Sequence, residues 1–390
     1  MRIRLKLLVT LTALSLSLTT NLFAQFDDFN RRFSQDFNYN WDFYGGGARA
    51  LAMGNAYTAV SNDVFSLGWN PAGIANQAEE EIYLGFDWSA YSPKGSFDFN
   101  SSRALEHGGS TNNFFRNFAL TSPANISQRP FVLGIGLTRI FDTYDLFAEE
   151  IFPHPTSTET PDVTFERRGY LNSANIGAAT HLSDKLSAGV AANVYFGRVI
   201  VEHNRAETYA NQAVNQGQLI DGRLLVNELD SFNLSGLNFN VGLLYDVNDE
   251  TSLGLSLRTP FKMKLSNDVI IDREALGNGA AVPGGAGGFT GVRIFSDRES
   301  KVEIPFIGTL GLARTWSDKL LTSLDLDLRS YSSSKFFILD STRISPAGNK
   351  ESFFHDEEPS WNSVLQVRFG AEWKLNSHLG EIPIRAGFGY

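Results

Sequence analysis

Apolar and polar residues alternate one by one along most of the chain after about residue 80. In the stretch 237–245 the odd positions are apolar, and in 324–329 leucines alternate with charged residues. Such alternation predicts β-strands with one apolar and one polar face. It predicts about eleven strands, near 82–90, 114–121, 131–137, 168–181, 185–201, 237–245, 252–258, 303–316, 324–329, 365–373 and from 384 onward.

The lengths of the strands and of their connections indicate the architecture. Many alternating stretches exceed the ~5–6 residues typical of globular strands and fit a tilted membrane span. Short connections at 183–184, 247–250, 317–318 and 376–380 alternate with long ones at 92–112, 142–165, 203–230, 267–301 and 332–360. Short turns on one side and long loops on the other are typical of outer-membrane barrels. We therefore predict an all-β fold, a transmembrane antiparallel β-barrel over residues 79–390, with a soluble periplasmic β protein as the alternative.

The odd number of predicted strands requires an explanation. A single-chain bacterial barrel has an even number of strands and both termini on the periplasmic side. Either one strand is miscounted, or the chain continues beyond Tyr390, and we expect the second. The alternative is that Arg385, Gly387 and Tyr390 form a terminal assembly signal.

The N-terminal region divides into three parts before the first strand. Basic residues followed by the apolar stretch 7–18 and a small residue at Ala24 predict a signal peptide over residues 1–24. Residues 25–44 carry phenylalanines three or four apart, which fits either a short docked helix or a flexible spacer. Residues 45–78 are rich in small residues and lack lysine and glutamate, so we predict a compact plug there, with a short helix within 48–60.

Composition excludes several classes of function. The net charge of -10 disfavours nucleic acid as a partner, because phosphate binding requires a basic face. There is no cysteine, and the six histidines are scattered without metal-ligand spacing. No nucleophile and base can be paired, and no phosphate-binding or dinucleotide motif occurs. We predict no catalytic residue, metal site or cofactor, and conclude that the chain is not an enzyme.

One stretch carries a specific resemblance. Gly54 and the run Trp69, Asn70, Pro71, Ala72 and Gly73 resemble the hatch of FadL-type outer-membrane transporters for long-chain fatty acids and other hydrophobic compounds. The resemblance implies a fourteen-stranded barrel closed by an N-terminal hatch, in the outer membrane of a Gram-negative type of cell. It also implies passive, hatch-gated uptake of a hydrophobic small molecule such as a fatty acid by a monomer surrounded by outer-membrane lipid.

The resemblance also suggests roles for residues outside the hatch. Family members release substrate sideways beside a kink in the third strand, where this chain has Gly134 and Gly136. Independently of the resemblance, the strand alternation places Arg258, Arg329 and Arg385 on the inward face, so they are candidate lumen cations for an anionic head group, with pairing to lumen carboxylates as the alternative. A related fold serves as a non-transporting shuttle or scaffold for secreted proteins, and this is the alternative function.

Overall fold

The computed structural model describes residues 45–91, 95–98, 102–107, 110–126, 129–150, 162–214, 218–277, 291–344, 350–359, 361–378 and 380–390. These residues belong to one compact unit, Phe43–Tyr390. The predicted signal peptide and the stretch 25–44 lie outside the described residues. Within the described part of the chain, no helix is both long and apolar enough to cross a membrane.

The N-terminal segment, defined here as residues 45–80, contains little regular secondary structure. It contains α1 (Ala48–Ala52), α2 (Ser66–Trp69) and a 3-10 helix (Pro71–Asn76). The expected helix within 48–60 ends early because Gly54 and Asn55 both have a φ of 63°. Two successive left-handed residues cannot continue a right-handed helix, so the chain turns there.

The rest of the described chain is strand. The strands are β1 (Glu81–Tyr91), β2 (Gly95–Asp98), β3 (Ser102–His107), β4 (Ser110–Ile126), β5 (Arg129–Glu150), β6 (Asp162–Ser183), β7 (Leu186–Val214), β8 (Gln218–Asn248), β9 (Thr251–Arg258), β10 (Phe261–Gly277), β11 (Gly291–Ile304), β12 (Ile307–Ser317), β13 (Leu320–Arg329), β14 (Phe336–Ile344), β15 (Lys350–Glu357), β16 (Val364–Ser377) and β17 (Gly380–Gly389). A second 3-10 helix, Tyr331–Ser333, separates β13 from β14.

Four pairs of these strands are single strands with an interruption. Prolines 260 and 305 separate β9 from β10 and β11 from β12, because proline cannot donate to the ladder. Residues 330–335 divide β13 from β14, and residues 358–363 divide β15 from β16. Counting each pair once and leaving aside the small hairpin β2–β3, the described residues form eleven long strands. All eleven predicted strands are present.

The predicted long loops are largely wrong. Long loops were expected at 92–112, 142–165, 203–230, 267–301 and 332–360, yet β2, β3 and parts of β4, β5, β6, β7, β8, β10, β11, β14 and β15 lie within these ranges. The stretches 151–161 and 278–290 lie outside the described residues. The paired strands β7 and β8 have 29 and 31 residues. A membrane span needs only ~9–11 residues, so the ladder continues well outside the bilayer. There both faces can meet water, and alternation no longer marks a strand.

Antiparallel pairing follows the order β1, β4, β5, β6, β7 and β8. The long strand β8 then pairs with two strands on its other side, with β10 along its first part and with β9 along its last part. The ladder continues through β12, β13, β16 and β17 near the short turns, and through β11, β14 and β15 at the other end.

The two faces of this sheet differ in composition. Its outer face exposes a band of large apolar side chains, among them Val194, Leu237, Phe239, Leu310 and Leu326. Its inner face is buried and has three successive levels from the short turns outward. These are glycines, then polar side chains, then apolar side chains. The N-terminal segment packs against the first two levels.

Candidate functional site

Glycines on the inner face allow the N-terminal segment to lie directly on the wall. At each of eight glycines, an added Cβ would come within 3.0 Å of an atom of the segment. We call this set the glycine belt: Gly134, Gly177, Gly189, Gly242, Gly254, Gly311, Gly370 and Gly387. Several are ladder partners, such as Gly189 with Gly242 and Gly370 with Gly387, so the belt follows one height of the wall.

Gly387 leaves the least room for a side chain, because its neighbour there is the backbone of the segment. An added Cβ would lie 2.0 Å from the Gly54 backbone nitrogen, and Gly54 itself has a positive φ. We expect Gly387→Ala to displace α1 at a cost of about 1–3 kcal/mol, because two backbones cannot yield as a side chain can. Trypsin cleavage after Arg49 in the folded protein should therefore become faster.

Gly136→Ala is the matched control for Gly387→Ala. An added Cβ at Gly136 meets its nearest atom at 3.5 Å, an ordinary contact, so the cleavage rate should not change. Equal cleavage rates in the two variants would contradict the idea that the belt fixes the segment.

A buried carboxylate holds the middle of the segment. Asp325 Oδ2 accepts hydrogen bonds from the backbone nitrogens of Tyr57 and Thr58 at 2.9 and 3.0 Å, and from the Thr58 hydroxyl at 2.7 Å. Asp325 is fully buried, and Arg368 lies 3.7 Å away. Charge-assisted bonds of this kind are the stronger class of hydrogen bond. The sequence analysis did not identify Asp325 as an anchor.

The run from Trp69 to Gly73 is packed against the wall. Asn70 Nδ2 donates to the carbonyls of Thr58 and Leu243 at 2.9 and 3.0 Å, and Asn70 Oδ1 accepts from the Ala72 nitrogen at 3.2 Å. Asn70 thus caps the 3-10 helix that begins at Pro71 and also ties it to β8. All five residues of the run are buried.

Tyr57 joins the two halves of the segment. Its ring meets Trp69 edge to face at 6.1 Å, and its hydroxyl donates to Asp63 Oδ2 at 2.6 Å. Burial raises the pKa of the Tyr57 phenol well above its ordinary value, so the hydroxyl stays protonated and remains a donor. Trp69 Nε1 in turn donates to the Gly46 carbonyl at 2.9 Å.

The three candidate lumen cations differ in their partners. Arg385 Nε lies 2.5 Å from Glu372, which also pairs with Arg49 of the segment at 3.0 Å. Arg329 pairs with Asp327 at 2.8 Å. For these two arginines the contacts are those of the alternative interpretation, pairing with lumen carboxylates.

Arg258 donates from two of its nitrogens to neutral acceptors. Its Nε donates to Asn240 Oδ1 at 3.1 Å, and its Nη2 donates to the Gly68 carbonyl at 2.9 Å. Arg258 also borders two small cavities, of about 30 and 10 Å³. Each holds one or two waters at most, since one water needs roughly 10–15 Å³. Beside Arg258, these two cavities leave room for a few water molecules only.

The wall is interrupted between β4 and β5. Their ladder runs only from the pair Ile126–Arg129 to the pair Asn117–Thr138. Just beyond, Arg116 and Ile140 are the extra residues of two bulges, one facing β1 and one facing β6. Bulges bend strands and end pairing. We call the separation beyond Asn117–Thr138 the β4–β5 gap, and Thr138 and Ile140 line the smaller cavity beside it.

Gly134 and Gly136 lie on β5 below this gap and differ in their surroundings. An added Cβ on Gly134 would lie 2.7 Å from Leu67 Cδ1, and the other methyl of Leu67 lies against Gly177 in the same way. Gly136 faces Asn175 and does not touch the segment. Leu67 of α2 thus fills a recess that two glycines open in the wall, which the sequence analysis did not foresee.

A profile of the family described as outer membrane protein transport protein (OMPP1/FadL/TodX) matches residues 43–390. The chain belongs to this family. The resemblance drawn from Gly54 and the run Trp69–Gly73 is thereby confirmed at the level of the family. A search of curated protein sequences found no match.

Solved structures agree with this family's fold. The toluene transporter TbuX of Ralstonia pickettii superposes with a TM-score of 0.55 at 15% identity, over 90% of this chain and 87% of that one. The toluene transporter TodX of Pseudomonas putida superposes with a TM-score of 0.52 at 17% identity, over 90% of this chain and 84% of that one. The deltaS2 mutant of the TodX monoaromatic hydrocarbon channel superposes with a TM-score of 0.59 at 16% identity, over 90% of this chain and 83% of that one.

Membership of the OMPP1/FadL/TodX family establishes location and general function. The chain is a β-barrel of the Gram-negative outer membrane, and the outer face of its described strands carries the apolar band typical of such barrels. It transports hydrophobic small molecules across that membrane. Members of this family are transport channels rather than enzymes.

Proposed function

We propose that the chain takes up long-chain fatty acids or similar hydrophobic molecules by passive diffusion, and that residues 45–78 are a hatch that gates the route. We further propose that it works as a monomer among outer-membrane lipids. The observation that carries this proposal is the position of α2, because Leu67 contacts β5 and β6 immediately below the β4–β5 gap.

Substrate would first collect in an apolar region of the lumen. Above the polar level, the inner face carries buried side chains that include Phe232, Met263, Leu265, Ile304 and Phe336. We call this region the apolar chamber; its side chains are packed together in the structure, so a substrate tail would enter by displacing them. Burying an apolar tail here would gain about 25 cal/mol for each Å² removed from water, without any input of energy.

Release would follow the β4–β5 gap into the lipid. The gap begins at Thr138, on the level of the polar side chains just below the apolar chamber, so a substrate would not have to pass through the segment. The segment would act as the floor, and α2 with Leu67 would be its mobile part. Movement of Leu67 away from Gly134 would widen the recess below the gap.

Among the three lumen cations, Arg258 is the candidate for an anionic head group. It borders both cavities, and its Nε and Nη2 atoms donate to the neutral acceptors Asn240 Oδ1 and the Gly68 carbonyl. Arg329 and Arg385 already face carboxylates, which lowers their value for an incoming anion.

Replacing Asn70 tests the hatch. Asn70→Asp replaces the amide nitrogen that donates to the carbonyls of Thr58 and Leu243 with a carboxylate oxygen, which repels both carbonyls. The 3-10 helix should therefore separate from β8, and α2 should lose its position. Uptake of labelled oleate by cells carrying the chain should fall by about tenfold, equivalent to about 1.4 kcal/mol.

Asn76→Asp is the control, because Asn76 ends the same 3-10 helix but is exposed. Equal uptake by both variants would exclude a gating role for the segment. Wild-type uptake no faster than in cells lacking the chain, together with secreted proteins that co-purify with it, would instead favour the scaffold function.

A further inference from the structure

The larger of the two cavities beside Arg258 lies between the N-terminal segment and the wall. Thr58 and Trp69 border it from the segment. Its wall side is formed by β9, β12, β13 and β16, which are neighbours in the ladder. Among the wall residues that line it, Arg258, Arg329 and Arg368 are basic and Asp327 is acidic. We call it the arginine cavity.

The charges around the arginine cavity do not balance. Guanidinium groups stay ionised in proteins, so the three arginines contribute three positive charges. Asp327 lies 2.8 Å from Arg329 and 3.4 Å from Arg368, and Asp325 lies 3.7 Å from Arg368. Counting the lining side chains together with Asp325 therefore leaves one positive charge in excess.

This excess charge lies in a buried place. Arg329 and Arg368 are buried, as are Asp325 and Asp327. Removing a charge from water is costly unless an opposite charge accompanies it, and the cost falls on whichever guanidinium lacks its share of a carboxylate. The charge balance therefore indicates an additional anion at the arginine cavity.

The size and the donors of the arginine cavity indicate which kind of anion fits. Its volume of about 30 Å³ gives room for about two waters or one monatomic anion. The hydroxyls of Thr58, Ser256 and Thr309 already donate to Asp325, the Trp69 carbonyl and Asp327. The donors for an anion are therefore the arginines. Each guanidinium has five N–H groups, so the three can surround an anion and still hold Asp327.

We propose that the arginine cavity binds a chloride ion, and that this ion helps to hold the N-terminal segment against the wall. The ion would sit between Thr58 and Trp69 of the segment and the arginines of four wall strands. It would thus supplement the Asp325 carboxylate, which holds the segment from β13. The inference does not depend on which molecule the barrel transports.

Bromide locates the site directly, because it replaces chloride and scatters X-rays anomalously. Crystals of the full chain are soaked in sodium bromide, and the anomalous density is calculated. A peak is expected in the arginine cavity, beside Arg258, Arg329 and Arg368. Bromide peaks confined to other places would overturn the proposal.

Trypsin cleavage after Arg49 measures the effect of the ion on the segment. The wild type is digested in sodium chloride and in sodium gluconate at the same ionic strength, since gluconate is too bulky for the arginine cavity. A ligand that binds only the attached state lowers the detached population by about tenfold at ten times its dissociation constant. Cleavage should therefore be up to about tenfold faster in gluconate, and equal rates would overturn the retaining role of the ion.

Arg258→Gln separates anion binding from ordinary packing. Without this charge, two guanidinium groups face two carboxylates, so the bromide peak should disappear and the two salts should give equal cleavage rates. If Arg258 only braced the segment through the Gly68 carbonyl, cleavage would become faster in both salts and their ratio would persist. That outcome would contradict the proposal.

Arg314→Gln is the matched control. Arg314 lies on β12 but is exposed and pairs with Glu250 at 3.6 Å, so the same change of charge should leave the salt dependence as in the wild type. Folding of both variants is checked by the heat-dependent migration of the barrel in gels. Because neither readout involves uptake, failure of this inference and failure of the transport proposal are distinguishable.

Discussion

Deletion of Ile140 is expected to abolish the uptake of labelled oleate while leaving the barrel folded. Ile140 is the extra residue of the bulge in β5, between the pairs Arg139–Asn172 and Phe141–Leu171. Without it, β5 can continue in regular pairing with β6, and the local bend that ends pairing with β4 is lost. The β4–β5 gap would then close, and a substrate in the apolar chamber would have no lateral route into lipid.

Deletion of Asp340 is the matched control. Asp340 is likewise the extra residue of a bulge, between Leu339 and Ser341 in the β14–β15 pair, far along the ladder from the gap. Its deletion should regularise that pair and leave uptake unchanged. Wild-type uptake after deletion of Ile140, in a barrel with normal heat-dependent migration, would contradict lateral release beside β5.

Period-2 alternation was sufficient to find the wall. Leucines 324, 326 and 328 face outward while Asp325, Asp327 and Arg329 face inward, as the alternation predicts. The same rule failed for β7 and β8 beyond the bilayer, since no apolar solvent imposes a pattern there. Sequence patterns thus predicted the membrane-embedded part of each strand but not its full length.

The candidate site was only partly predictable, because its contacts join residues distant in sequence. The run Trp69–Gly73 was found by its motif, but its bonds to Leu243 and Ser256 depend on strands that follow much later. Asp325 carried no local signal that separated it from Asp327. The glycine belt did leave a signal, since inward glycines recur on neighbouring strands at matching heights once the register is known.

Loss of the Asp325 carboxylate is expected to have the other large effect. Asp325→Ala leaves two backbone nitrogens and the Thr58 hydroxyl without their acceptor and removes one of the carboxylates that face Arg368. Breaking a buried, paired charge of this kind costs about 3–5 kcal/mol. We expect residues 45–78 to detach from the wall, so that ion conductance through single barrels in planar bilayers rises well above that of the wild type.

Asp318→Ala is the matched control for Asp325→Ala. Asp318 lies in the short turn between β12 and β13 and is exposed, so its loss changes the same charge without touching the segment. Asp325→Asn is intermediate, because the amide oxygen can replace Oδ2 as the acceptor for Tyr57 and Thr58, while the charge opposite Arg368 is lost. Conductance should therefore rise from wild type and Asp318→Ala, through Asp325→Asn, to Asp325→Ala. A closed barrel in Asp325→Ala would mean that the glycine belt and Asn70 hold the segment without this carboxylate, and that the floor of the lumen is secured by packing rather than by charge.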